Sequence, residues 1–136
     1  MTNPKSEIQN PKQIRTDETR NPKRYDLEDR VVVFAKRVRM LIAALPKTIS
    51  NLEDSKQLAR SSGSVGANYM EANEAVSRKD FVLRIKISRK EAKETGYWLQ
   101  LLDTGGQRFL EDQRVDLLRE SGELLKIFGA IYRKSE

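Results

Sequence analysis

The sequence predicts an all-α fold, an antiparallel up-down-up-down four-helix bundle. Apolar and small residues recur at steps of three and four along four long segments, which is the spacing of helices packed on one another. No proline occurs after Pro46, so none interrupts a later helix. The connections are short, which makes neighbouring helices antiparallel. The predicted helices cover about residues 26–45, 51–75, 78–104 and 110–133.

Residues 1–25 are predicted to form a disordered basic tail before the bundle at residues 26–136. Within this tail, Ile8 and Ile14 are the only bulky aliphatic residues after Met1. So little apolar surface cannot offset the entropy lost when the segment becomes ordered. The tail carries six basic and three acidic residues. The whole chain has a net charge of +6 and a pI of about 9.6, a balance that suits an anionic partner such as nucleic acid without requiring one.

The first two helices meet at a proline. We expect the first helix to end at Leu45, because the residue before Pro46 is pushed out of the helical region. The second helix is predicted to begin with a capping box formed by Ser50 and Glu53. The apolar positions of the first helix step four-three-four-three-four: Leu27, Val31, Phe34, Val38, Leu41 and Leu45.

The segment Ser61–Ala67 has the composition of a loop, with three serines and two glycines. Each glycine inside a helix costs about 1 kcal/mol relative to alanine. The three-four spacing nevertheless continues through the segment, which favours a continuous second helix with a small-residue contact face. A phosphate-binding loop is the alternative, but the lysine and glycine spacing of a P-loop is missing.

The third and fourth helices carry their own local signals. Ser77, with Asp80 three residues later, has the spacing of an N-terminal cap. Gly105-Gly106 can adopt the left-handed conformation that ends a helix. In the fourth helix, Gly122 and Gly129 lie seven residues apart on one face, a spacing suited to close helix packing.

Histidine and cysteine are both absent. Their absence excludes disulfides, cysteine nucleophiles, a Ser–His pair and metal sites built on either residue. We expect no enzyme, and we predict no catalytic residue, no cofactor-binding residue and no metal ligand. A carboxylate-only magnesium site or a glycosidase pair at Glu91 and Glu94 is less favoured. The favoured interpretation is a partly buried polar network that fixes helix register, formed by Arg60, Asn68, Glu71, Arg84, Glu91 and Glu94.

Two groups on the third helix are expected to face outward. Apolar surface around Tyr97, Trp98 and Leu101 exceeds what one buried stripe requires, which predicts an oligomer contact. On the far side of the helix lies a basic stripe with no interleaved aromatic ring, so base stacking is not indicated. This stripe is the candidate nucleic-acid-binding surface, with a solvated charged face as the alternative, and consists of Lys79, Lys86, Arg89, Lys90 and Lys93.

The sequence also bears on location. No apolar run approaches the ~18 residues of a membrane span, and the polar N-terminus lacks the apolar core of a signal peptide. We therefore expect a cytoplasmic protein without membrane contact.

Motifs in the second and third helices resemble a known family. Residues 57–71 read QLARSSGSVGANYME, residues 77–81 read SRKDF and residues 91–99 read EAKETGYWL. In order and spacing, these segments are similar to the four-helix-bundle proteins of bacterial 23S ribosomal RNA intervening sequences, over about residues 26–133. One departure is Ala72-Asn73, where many relatives have glycine after the matching glutamate.

The resemblance implies a continuous second helix and a ring-like homopentamer. A similar bundle is the accessory protein of diversity-generating retroelements, where it resembles a basic scaffold for reverse transcriptase and RNA. No catalytic residue is implied. We therefore expect a non-enzymatic pentameric scaffold that binds RNA, DNA or a nucleic-acid enzyme through basic surfaces. The alternative is a protein-only assembly module without nucleic-acid binding.

Overall fold

Four helices occupy almost all of residues 22–135, the part of the chain that the computed structural model describes. Their bounds are α1 (Pro22–Ala44), α2 (Ile49–Asn73), α3 (Arg78–Leu101) and α4 (Arg108–Ser135). Successive helices pack on one another and α1 closes against α4. Across the diagonal, the rings of Tyr69 on α2 and Phe128 on α4 lie 5.7 Å apart between centroids. The predicted all-α antiparallel bundle is confirmed, and residues 22–135 contain no strand.

The predicted tail mostly lies outside the described residues. Where the prediction placed residues 22–25 in the tail, α1 already begins at Pro22. Proline is favoured in the first turn of a helix because its fixed φ suits the helix and its missing N–H has no partner there.

The core lies along the bundle axis and is built from the predicted three-four positions. Every predicted apolar position from Leu27 to Leu45 is buried, although α1 itself ends one residue earlier, at Ala44. Burial of a leucine- or phenylalanine-sized side chain stabilises the fold by roughly 1.5–3 kcal/mol, so this axis is the main source of stability. All four helices contribute large buried apolar side chains: Phe34, Val38, Leu58, Val65, Ile85, Leu99, Leu117, Leu124 and Phe128.

Helix α2 is continuous through Ser61–Ala67, as predicted, and its small residues face two partners. A β-carbon on Gly66 would lie 3.1 Å from Cγ2 of Val31 on α1, so this glycine permits a close approach of α1. On the α3 side, the hydroxyl of Thr95 donates to the hydroxyl of Ser61 at 2.9 Å, and both residues are fully buried.

Helix α2 begins earlier than predicted, and its capping residue is Thr48. The Thr48 side chain accepts a hydrogen bond from the backbone N–H of Asn51 at 3.1 Å. Ser50 lies inside the first turn, so the predicted capping box with Glu53 is wrong. Thr48 has the extended backbone (ψ 162°) and the side-chain oxygen that a capping residue needs.

Helix α3 begins at its predicted cap but ends three residues early. The Ser77 side chain accepts from the N–H of Asp80 at 3.0 Å, as predicted. After Leu101 the chain leaves the helix, because the buried Asn51 captures Asp103. The Asn51 amide donates to the Asp103 carbonyl at 2.8 Å, and its oxygen accepts the Asp103 N–H at 3.0 Å.

The two glycines predicted to end α3 lie in the connection to α4 instead. Gly105 and Gly106 have φ values of +67° and +75°, the left-handed conformation expected from the sequence. They follow Asp103, whose carboxylate accepts the N–H of Gly105 at 2.8 Å. The glycines therefore turn the chain into α4 after Asn51 has already ended the helix.

Candidate nucleic-acid interface

Helix α3 carries its acidic side chains on the side towards α2. Nη2 of Arg60 lies 2.8 Å from Oε2 of Glu94 and 3.4 Å from Oε1 of Glu91. These contacts raise the pKa of Arg60, with the hydrogen bond to Glu91 as the largest cause and burial opposing it. The indole N–H of Trp98 also donates to Glu94 at 3.2 Å. Both carboxylates are thus engaged before any outside partner arrives.

The predicted polar network is present in two separate parts. The first is the Arg60 cluster with its two glutamates. In the second, Arg84 donates to the Asn68 side-chain oxygen at 3.0 Å, and the Asn68 amide donates to the Ser64 carbonyl at 2.9 Å. The side chain of Glu71 is exposed and joins neither part. Glu71 lies about one turn beyond Asn68, and the Arg84 guanidinium already donates to Asn68.

The basic stripe occupies the outward face of α3 and the side towards α4. Lys86, Lys90 and Lys93 follow one another at steps of four and three, so they share one face. All are exposed, as are Lys79 and Arg89. Within residues 27–135 none of these five cations forms an ion pair. The stripe therefore presents uncompensated positive charge.

Aromatic rings border this stripe, although none is interleaved with it in the sequence. Tyr97 continues the row one turn after Lys93 and is 55% exposed. The ring of Tyr132 on α4 lies against Lys86, whose Nζ is 5.9 Å from the ring centroid, within cation–π range. The Tyr132 contact depends on the register of α4 against α3, for which the linear sequence holds no signal.

The predicted oligomer-contact residues differ in their surroundings. Tyr97 and Leu101 are 55% and 46% exposed. Trp98 packs against the core, and its ring lies 5.0 Å from that of Tyr97 between centroids, in a T-shaped arrangement. The C-terminal ends of α1 and α3 and the N-terminal ends of α2 and α4 share this end of the bundle. Sequence analysis did not identify the other exposed apolar side chains there, which are Met40, Ile49, Leu52 and Phe109.

Helix α4 adds a basic residue that sequence analysis also missed. A β-carbon built on Gly129 would lie 3.4 Å from Nη1 of Arg133 and 3.5 Å from Nε of Arg89. The two arginines, from different helices, thus converge above one glycine. Gly122 faces open space, so close packing does not explain that residue. The only sequence signal for Arg133 is its place one turn after Gly129.

Two further features are absent from the described residues. Residues 22–135 contain no group of three or more acidic side chains placed to hold a metal ion. Over the same range, no helix combines the length and hydropathy that crossing a bilayer requires.

Comparison with known proteins supplies the family. The model of the 23S rRNA-intervening sequence protein family matches residues 23–129. This chain belongs to that family. No curated protein matches it.

A solved structure agrees with this membership. It is the 1.70 Å crystal structure of a protein of unknown function from the S23 ribosomal protein family of Bacteroides thetaiotaomicron VPI-5482. The two chains are 35% identical, with a TM-score of 0.65, over 77% of this chain and 96% of the other. The predicted membership of the 23S rRNA-intervening sequence family is confirmed, and the likeness to retroelement accessory proteins stays a prediction.

Proposed function

We propose that this member of the 23S rRNA-intervening sequence protein family is a non-enzymatic, homo-oligomeric scaffold that binds RNA or DNA through basic surfaces. The observation that carries the proposal is the separation of charge on α3. Arg60 engages Glu91 and Glu94 on the α2 side, while the basic stripe on the outward and α4 sides keeps its charge. A stripe without internal carboxylate partners is free to neutralise phosphates, which is the sequence-independent part of nucleic-acid binding.

Oligomer formation would multiply this charge. The exposed apolar side chains at one end of the bundle, among them Met40 and Phe109 at 71% each, support association with further copies. The stoichiometry of five rests on the family resemblance. Five chains of +6 would carry +30, so a modest stripe on each chain becomes a ring of positive potential. Light scattering should give about five times the chain mass of 15.7 kDa.

The proposal is tested by replacing Lys86, Lys90 and Lys93 together with glutamine. Glutamine keeps helix propensity and stem length, so folding should survive. We expect weaker binding to all RNA and DNA sequences alike, and a shallower dependence of affinity on salt, by about 0.7 in slope per lost contact on a single strand. Fluorescence anisotropy over a salt series measures both quantities.

A matched control replaces three exposed lysines elsewhere, Lys36, Lys47 and Lys56, with glutamine. The net charge falls by the same amount, but we expect the salt slope to stay near that of the wild type. If the control and the α3 variant weaken binding equally, the stripe has no special role. If a pentameric wild type binds neither RNA nor DNA at low salt, the alternative of a protein-only assembly module replaces the proposal.

A further inference from the structure

We propose that the groove between α3 and α4 holds a phosphate-binding site, in which Arg89 and Arg133 bind one oxyanion of a nucleic-acid backbone above Gly129. This inference rests on the proposed function and assigns its anchoring contact. It adds a residue of α4 to a surface that the sequence confined to α3.

One nitrogen of each guanidinium group lies near a common position. The position of a β-carbon on Gly129 is 3.4 Å from Nη1 of Arg133 and 3.5 Å from Nε of Arg89. Because residue 129 is glycine, that position holds no side-chain atom. A phosphate oxygen placed slightly further from the α4 backbone than this position could accept hydrogen bonds from both groups. Their length would be about 2.7–2.9 Å, which is usual for charged pairs.

The donors of both arginines are unused within the described residues. Every other arginine between residues 27 and 135 forms a hydrogen bond or an ion pair with a carboxylate, an amide oxygen or a backbone carbonyl. Arg37, for example, lies 2.9 Å from Asp116. Arg89 and Arg133 form neither a hydrogen bond nor an ion pair in that range. Two positive charges close together repel each other, and an anion bound between them would offset that repulsion.

The groove continues on both sides of this position. One turn earlier on α3, Lys86 lies against Tyr132 and supplies a second cation for a neighbouring phosphate. Two turns earlier on α4, a β-carbon on Gly122 would meet no other atom within 4 Å, so no side chain crowds the surface there. The carboxylates of α3 face α2 instead. A phosphodiester chain that passes over Gly129 would therefore contact basic side chains of both α3 and α4.

Alanine substitution of the two glycines gives a sharp test. Gly129→Ala places a methyl group at the point where the arginines converge, at ordinary contact distances, so the fold is preserved and the anion position is filled. We expect the affinity for a short single-stranded RNA of mixed sequence to fall about tenfold. Gly122→Ala fills open space on the same face and should leave affinity within about twofold. Equal affinities of the two variants would overturn the site.

Removal of the donors tests the same site independently. Arg89→Gln with Arg133→Gln should weaken RNA binding at least tenfold and lower the salt slope by about 0.7 for each lost contact. The control pair, Arg108→Gln with Arg119→Gln, removes the same charge from arginines that already bind carboxylates. It should change affinity less than threefold.

A third measurement separates the site from the function on which it rests. The arginine Nε–H signals of the wild type are followed by NMR during addition of RNA and, separately, of tripolyphosphate. Selective shifts of Arg89 and Arg133 with both ligands support the proposal. If tripolyphosphate shifts these signals and RNA does not, the site binds anions but nucleic acid is not its ligand. RNA binding that leaves both signals unmoved overturns the site while the proposed function stands.

Discussion

The α2–α3 and α1–α4 interfaces join neighbouring helices of one bundle by different means. At the centre of the α2–α3 interface, short side chains are fully buried and their hydroxyls bond across it: Thr95 to Ser61, and Ser88 to the Val65 carbonyl at 3.0 Å. Between α1 and α4 long side chains span the gap. Arg30 binds Glu120 through two hydrogen bonds, at 2.8 and 3.0 Å.

The difference follows from side-chain length. Small residues let the backbones of α2 and α3 approach closely at the centre of their interface, and Arg60 pairs with Glu94 at its exposed margin. Between α1 and α4 the arginine–carboxylate pairs span a wider gap and stay partly exposed. At one end of the α1–α4 interface the separation leaves a cleft of about 130 Å³ beside Met40 and Phe109. Partly exposed ion pairs add little stability, so we infer that most of the bundle's cohesion lies on the α2–α3 side.

The largest expected effect disrupts that side. Val65→Pro removes a helix hydrogen bond and clashes with the preceding turn of α2, which should lower the free energy of unfolding by about 3 kcal/mol or more. Urea denaturation followed by circular dichroism measures the change. The control is Ile49→Pro, at the exposed first position of the same helix, where proline is tolerated. Equal losses in both variants would contradict the comparison.

A smaller effect is expected at the tie between α2 and the end of α3. Asn51→Ala leaves the backbone groups of Asp103 and the carbonyl of Pro46 without their buried partner. We expect the free energy of unfolding to fall by about 2–3 kcal/mol. Ser50→Ala, one residue away and exposed, should cost only a few tenths. If the two variants unfold at the same urea concentration, Asn51 does not determine where α3 ends.

The smallest effect concerns the α1–α4 side and depends on pH. The hydrogen bond from Arg37 lowers the pKa of Asp116, with a smaller contribution from Arg119. A lowered folded-state pKa means that the stabilisation is complete above the unfolded value of about 3.9 and is lost as the pH falls through the folded value. Asp116→Asn should therefore lose less stability than the wild type on acidification below about pH 4.

Thermal melts at a series of pH values test this expectation. Some acid sensitivity should persist in the variant, because Arg114 also lowers the pKa of Glu111. Asp112→Asn, on the solvent-facing side of α4, serves as the control and should follow the wild type. A steeper acid loss in Asp116→Asn than in the wild type would show that the sign assigned to this pair is wrong.

The candidate site was only partly predictable from the sequence. Helical spacing places Lys86, Lys90 and Lys93 on one face because the geometry of a single helix fixes that relation. Helical spacing could not predict that the carboxylates of α3 are paired while its basic side chains are not, since that pairing depends on Arg60 of another helix. Nor could it place Arg89 and Arg133 on either side of Gly129, because that arrangement requires the register between α3 and α4.

The sequence by itself determined the four helices, their buried faces and the cap of α3 at Ser77. Each of these depends on residues within a few positions of one another, where helix geometry leaves little freedom. The tertiary structure alone decided that Asn51 ends α3 at Leu101 and that two arginines meet above Gly129. A polar side chain bonds to whichever group a neighbouring helix brings within about 3 Å, and that distance is set by how the helices pack.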